Sequence, residues 1–150
     1  MGITISCKKT GRSIDMGYGG FNRLRNKVAE LAGGPFAKHY LLLDAPENIK
    51  LAAASLISEN RDQFFDWFDQ RTQEIIDAKQ ADIKIVNFLL QSDCEGKVHY
   101  GACKNILRTI GDYDDDVLYG YCGRPDCAKF KDFKAILKDC INNKCDMVWR

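Results

Sequence analysis

Apolar residues along much of the chain recur every three or four positions, which is the spacing of an amphipathic helix. Such stripes predict helices over residues 21–31, 36–43, 49–57, about 59–78, 103–110 and, with Asp126 as its N-cap, 127–141. The clearest is 59–78, where Phe64, Phe65, Phe68, Ile75 and Ile76 share one side. The short run 83–90 fits a strand or a helix, and residues 87–91 favour a helix.

The two ends of the chain carry strand patterns. Ile3, Ile5 and Cys7 alternate with polar residues, and residues 147–149 form a second short apolar segment. Pairing these segments would satisfy the backbone of both strands. Residues 10–20 hold four glycines and predict a loop. We therefore expect one α+β domain over residues 1–150, mainly helical, with five to six helices around one core and a small terminal β-sheet.

Composition and charge narrow the function classes. The 150 residues are 45% hydrophobic and 29% charged, which is enough for one full core without disulfides. The formal net charge is only +1, which argues against a protein whose main task is to neutralise phosphates. Residues 1–30 are basic and residues 44–82 are acidic, so the two regions could complement each other within one molecule or in a homodimer.

Localisation follows from the absence of targeting patterns. No apolar run approaches the roughly 20 residues of a membrane helix, and the N-terminus lacks a secretory signal. We expect a cytoplasmic protein with no membrane partner. Its seven cysteines would be thiols in a reducing compartment, which favours buried or metal-bound cysteine over a disulfide framework.

Cys122 and Cys127 have the spacing of half a zinc site. His99 and Cys103, four residues apart, would complete it from one helical face, and Cys94 is another candidate. The alternative is that these cysteines are ordinary loop and core thiols, and the sequence favours it. Cys140 and Cys145 repeat the spacing, but Cys140 falls in an apolar stripe, which makes this the weaker pair.

A second candidate site binds anions or nucleic acid. Residues 17–20 are rich in glycine and precede a helix that carries Arg23, Arg25 and Lys27. No complete phosphate-binding motif is present, so glycine needed for backbone geometry is the simpler interpretation. An acidic run at 112–116 lacks the later positions of a calcium loop and is interpreted as a solvated turn.

Several strings resemble small uncharacterised proteins of phages, prophages and conjugative elements of Gram-positive bacteria. They are the block from Ile5 to Ala29, Leu89-Leu-Gln-Ser-Asp-Cys-Glu-Gly96, His99-Tyr-Gly-Ala-Cys-Lys104 and Tyr119-Gly-Tyr-Cys-Gly-Arg-Pro-Asp-Cys127. The resemblance implies an accessory protein of a mobile element and transfers no catalytic residue.

No complete catalytic motif is present, so the sequence predicts a non-enzymatic protein. We expect it to act by binding an as yet unknown protein partner, with Trp67 at the edge of an apolar stripe as a candidate interface residue, although ordinary core packing also explains that tryptophan. We expect no cofactor. The alternative is a nucleic-acid-binding regulator that uses the basic helix, with or without a structural zinc ion.

Overall fold

The computed structural model describes residues 2–56, 61–120 and 127–150. Within these ranges the chain forms seven α-helices and four strands, which confirms a mainly helical α+β fold with one helix more than expected. The helices are α1 Tyr18–Ala32, α2 Gly34–Leu41, α3 Glu47–Ala53, α4 Arg61–Asp77, α5 Ile83–Leu90, α6 Tyr100–Ile110 and α7 Phe130–Asn143, and a 3₁₀ turn follows α2 at Leu42–Asp44. None of the described helices is long and apolar enough to cross a membrane.

The strands form one antiparallel sheet in the order β2-β1-β4-β3, and they are β1 Gly2–Cys7, β2 Ser13–Gly17, β3 Gly96–Val98 and β4 Met147–Trp149. The predicted pairing of the two ends is confirmed, with Ile5 opposite Trp149 and Cys7 opposite Met147. β2 occupies part of the segment that was predicted to be a loop, because Ile14 and Met16 alternate with polar residues there and pair with β1.

The core lies between one face of the sheet and the helices. Along β1 every second residue is buried, ending at Cys7. Phe21 of α1, Phe88 of α5 and Trp149 of β4 pack edge to face or tilted against one another, with ring centroids 5.6 to 6.3 Å apart. Such aromatic packing joins the helical layer to the C-terminal strand.

Gly20 requires a glycine for close packing. A Cβ atom there would collide with the carbonyl oxygen of Tyr119. The glycine at this position therefore allows the start of α1 to pack closely against the backbone of Tyr119. This contact supports the structural interpretation of that glycine.

α4 packs against α2 at the edge of the main core. The rings of Phe68 and His39 stack with centroids 4.0 Å apart, and the Nε2 atom of His39 lies 2.9 Å from the hydroxyl of Thr72. Phe64 and Phe68 are buried as predicted, but Phe65 remains 38% exposed. The buried face of α4 is therefore narrower than the apolar stripe predicted from the sequence, because Phe65 lies beside this face on the surface.

The last helix begins later than predicted. Lys129, rather than Asp126, is the N-cap of α7, and the backbone N–H of Lys129 donates to the carboxylate of Asp132. A side-chain acceptor in the first turn satisfies a backbone donor near the helix start, which is one way a helix begins without a serine, threonine or asparagine cap. Asp126 lies outside the described residues.

Candidate metal centre

Three cysteines from opposite ends of the sequence meet beside the sheet. The sulfur atoms of Cys7, Cys140 and Cys145, here named the thiol cluster, all lie within 4.8 Å of one another. The sulfurs of Cys7 and Cys145 are 3.2 Å apart. Among the residues that the structure describes, these form the one group of three or more histidine, cysteine or acidic side chains placed to share a metal ion.

Three elements position the thiol cluster. Cys7 ends β1 and faces the core, while Cys140 lies in the last turn of α7. Lys144 then adopts a left-handed conformation with a φ of 49°, which ends the helix and turns Cys145 back toward it. The backbone N–H of Cys145 donates to the carbonyl of Cys140 at 3.1 Å. The sheet register and the helix end thus fix all three sulfurs.

The turn after β1 is attached to α7 by polar contacts. The carboxylate of Asp139 accepts from Nε of Arg12 at 2.7 Å and from the hydroxyl of Thr10 at 3.2 Å. The ion pair is partly exposed, so we attribute to it orientation rather than a large share of stability. These contacts hold the turn after β1 against the last part of α7, next to the thiol cluster.

The turn after β1 also sets the pKa of the Cys7 thiol. Burial raises this pKa, but polar interactions with Thr10, Cys145 and Lys9 outweigh burial and lower the pKa to about 7. Hydrogen bonds to sulfur favour the thiolate, which is the form that binds metals.

The other two thiols lie in surroundings that favour the protonated form. A hydrogen bond with Cys103, followed by burial, raises the pKa of Cys140, and burial raises the pKa of Cys145. The C-terminal end of α7 adds negative potential at this point. Several adjacent sulfurs at a helix C-terminus cannot all be ionised unless a cation compensates their charge.

The exposure of the thiol cluster is uneven. Cys7 and Cys140 are 1% and 0% exposed, whereas Cys145 is partly exposed. Cys103 on α6 is also fully buried but is not a member of the cluster. A metal ion held here would be shielded from water except on the side of Cys145.

Of the zinc ligands predicted from the sequence, the three in the described part of the chain, His99, Cys103 and Cys127, do not form a common cluster. His99 is exposed and is the N-cap of α6, where its Nδ1 atom accepts from the backbone N–H of Gly101, while Cys103 points into the core. Cys94 is exposed on the loop before β3. Cys127 is partly buried, and Cys122 lies outside the described residues.

The basic residues of α1 are engaged in contacts within the protein. Arg25 is buried over the rings of Phe21, Phe88 and Trp149, and its guanidinium donates to the carbonyls of Gln91 and Ser92. It therefore does not lie on the surface expected for an anion-binding helix. Lys27 pairs with Glu30 at 3.1 Å, and Arg23 lies over the ring of Tyr119.

Trp67, the candidate interface residue, is partly buried. Its ring packs against His39 and Phe64, with centroids 5.5 and 5.8 Å away. The tryptophan thus contributes to the packing between α2 and α4, and the more exposed aromatic residue of this helix is Phe65.

Sequence reasoning did not connect Cys7 with Cys140 and Cys145, which it treated as the weaker cysteine pair. The signal was present in the strand prediction, because pairing β1 with β4 brings Cys7 opposite Met147, two residues from Cys145. A cysteine that alternates with isoleucines was interpreted only as a core residue. A ligand that faces the core is compatible with a buried metal site when its partners are buried too.

Comparisons with known proteins do not add to this picture. The chain matches no model of a protein family, no curated protein and no solved structure. The resemblance to proteins of mobile elements stays a prediction.

Proposed function

We propose that the protein is a non-enzymatic zinc-binding protein that holds one zinc ion through the thiol cluster. The observation that carries this proposal is the convergence of three sulfurs within 4.8 Å from segments that are far apart in the sequence. Zinc–sulfur bonds of about 2.3 Å place the sulfurs of a tetrahedral site about 3.8 Å apart, so modest side-chain adjustment suffices. Other ions that prefer thiolates, such as Cu(I), belong to the same chemical class.

Charge and polarity support a bound cation. A zinc ion would compensate the thiolates at the C-terminal end of α7, and the polar groups of Lys9 and Thr10 that lower the pKa of Cys7 would favour its thiolate form. A water molecule on the partly exposed side of Cys145 would supply the fourth ligand. The ion would tie the first strand to the last helix, which is a structural role.

The experiment measures metal content after purification without a chelator. We expect about one zinc per chain in the wild-type protein and less than about a tenth of that in Cys7→Ser and Cys145→Ser. Cys94→Ser is the matched control, because this exposed thiol is outside the cluster and should leave the zinc content unchanged. Cobalt substitution should give sulfur-to-cobalt charge-transfer absorption that the two cluster variants lose.

One result would refute the assignment. If Cys7→Ser keeps its zinc while replacement of both Cys122 and Cys127 removes it, the metal is held by the loop pair predicted from spacing rather than by the thiol cluster. Absence of zinc, cobalt and copper binding by the wild-type protein would reject the metal-binding function altogether.

The role as an accessory protein that binds a partner is part of the same proposal. It is supported by the exposed ring of Phe65 on α4 and by Ile49 of α3, which is 47% exposed. The nucleic-acid alternative has less support, because Arg25 is buried and Lys27 is paired with Glu30. Two of the three basic residues on which it depended are therefore engaged elsewhere.

A further inference from the structure

We propose that Cys7 and Cys145 are an oxidation-sensitive pair whose disulfide expels the metal ion from the thiol cluster. Metal release rests on the proposed function, whereas formation of the disulfide does not. The oxidant is of the peroxide class, which is small enough to reach a partly exposed sulfur.

The geometry singles out this pair of sulfurs. They are 3.2 Å apart, so an approach of little more than about 1 Å reaches the roughly 2.05 Å of a disulfide. Cys140 is less suited, because its sulfur is fully buried and out of reach of an oxidant. The pair links segments 138 residues apart, so its oxidation closes nearly the whole chain into one loop.

The order of the steps follows from exposure. Cys145 is the partly exposed sulfur and the one that peroxide reaches, so the step proceeds from its deprotonated form, which the bound cation favours: the thiolate attacks peroxide, forms a sulfur–oxygen bond and releases hydroxide, leaving a sulfenic acid. The buried sulfur of Cys7 then attacks Cys145, forms the disulfide and displaces a second hydroxide. Both hydroxides take up a proton, so two thiolates, one hydrogen peroxide and two protons give one disulfide and two waters.

Loss of the metal follows from the loss of ligands. Two of the three thiolates no longer donate to the ion once they share a disulfide bond, and Cys140 alone in the cluster cannot retain it. The zinc ion leaves without changing its own oxidation state. A reductant regenerates both thiols and restores the site, so the device is reversible.

The test uses the full-length zinc-loaded protein and hydrogen peroxide. Released zinc is followed with a chromophoric chelator, and the disulfide is located by peptide mass spectrometry after the remaining thiols are blocked. We expect a Cys7–Cys145 disulfide and release of zinc in about one-to-one proportion, reversed by a phosphine reductant. Cys145→Ser lacks one sulfur of the pair and should leave Cys7 reduced after the same peroxide treatment, whereas Cys94→Ser should leave the yield of the Cys7–Cys145 disulfide unchanged.

A further variant separates this inference from the proposed function. Cys140→Ala removes a metal ligand but keeps both members of the pair, so it should lose zinc and still form the Cys7–Cys145 disulfide. If the wild-type protein binds no zinc but forms this disulfide, the metal-release part is overturned and the oxidation-sensitive pair is supported. A disulfide between other cysteines, or oxidation of Cys145 beyond sulfenic acid with Cys7 still reduced, would overturn the inference without affecting the metal site.

Discussion

Replacing Phe68 by alanine should destabilise the protein far more than the same replacement at Phe65 three positions earlier on α4. Phe68 is 3% exposed and Phe65 is 38% exposed, so the two variants compare identical chemistry on one helix at different burial. A buried phenylalanine covers about 150–250 Å². Alanine keeps part of that area buried, so the area lost at roughly 25 cal/mol per Å², together with the cavity left behind, gives a cost of about 3–5 kcal/mol for Phe68→Ala, the usual range for this replacement in a core.

The loss at Phe65 should be smaller for two reasons. A large part of its ring already contacts water, and its removal leaves a surface depression rather than a closed cavity, so we expect a cost of about 1 kcal/mol. Asp69→Ala, on the exposed side of the helix, should change stability by no more than about 0.5 kcal/mol. These three values would show whether α4 is packed against α2 in the orientation described.

The assay is equilibrium unfolding in urea, followed by far-ultraviolet circular dichroism and by tryptophan fluorescence. Trp67 packs against His39 and Phe64 at this contact, so its fluorescence reports on the same region. If the two phenylalanine variants differ by less than about 1 kcal/mol, the assigned burial of α4 is wrong. If fluorescence and circular dichroism give different midpoints, α4 unfolds separately from the core.

Two further predictions concern pH and nucleic acid. Burial lowers the pKa of His39, and the charge of the nearby Arg71 lowers it further, although a hydrogen bond with the backbone of Phe68 opposes both effects. The folded state therefore binds fewer protons than the unfolded state, so the contribution of His39 to stability should be complete above about pH 6.5 and be lost as the pH falls below it. His39→Gln should reduce the loss of stability between pH 7 and pH 5 in urea titrations. Binding to duplex and single-stranded DNA, measured at two salt concentrations, should be weak and should change little with Arg23→Ala; tight binding that falls steeply with salt would favour the nucleic-acid alternative.

Local patterns predicted those elements that have a strong amphipathic or alternating sequence. α5 spans Ile83–Leu90 as the helical interpretation of that run required, and β1 was recognised from its alternating isoleucines. β2 was missed because its flanking glycines indicated a loop, and β3 because three residues carry too little pattern. α3 forms within the segment that the apolar stripe predicted, but none of its residues is buried. Local spacing predicts a helix without determining whether its apolar face packs against another element.

The candidate site was harder to predict because it depends on tertiary pairing. Motif spacing favoured Cys122 with Cys127, which are close in sequence, over cysteines brought together by the sheet. Cys7 and Cys145 become neighbours only when β1 and β4 adopt their observed register. Likewise, the burial of Arg25 depends on three aromatic rings from separate elements. Spacing rules detect ligands on one local segment, and these contacts are not local.

The position of β4 between β1 and β3 has a consequence for folding during synthesis. The β1–β2 hairpin emerges from the ribosome early, but its neighbour in the sheet is made only with residues 147–149. At roughly 5–20 residues per second, the nascent chain spends several seconds or more with the outer edge of β1 unpaired. An unpaired edge can join the strand of another chain, so this interval exposes the nascent protein to aggregation. The thiols of the cluster are completed in the same late interval, so the proposed zinc ion would bind only after nearly the whole chain has been made.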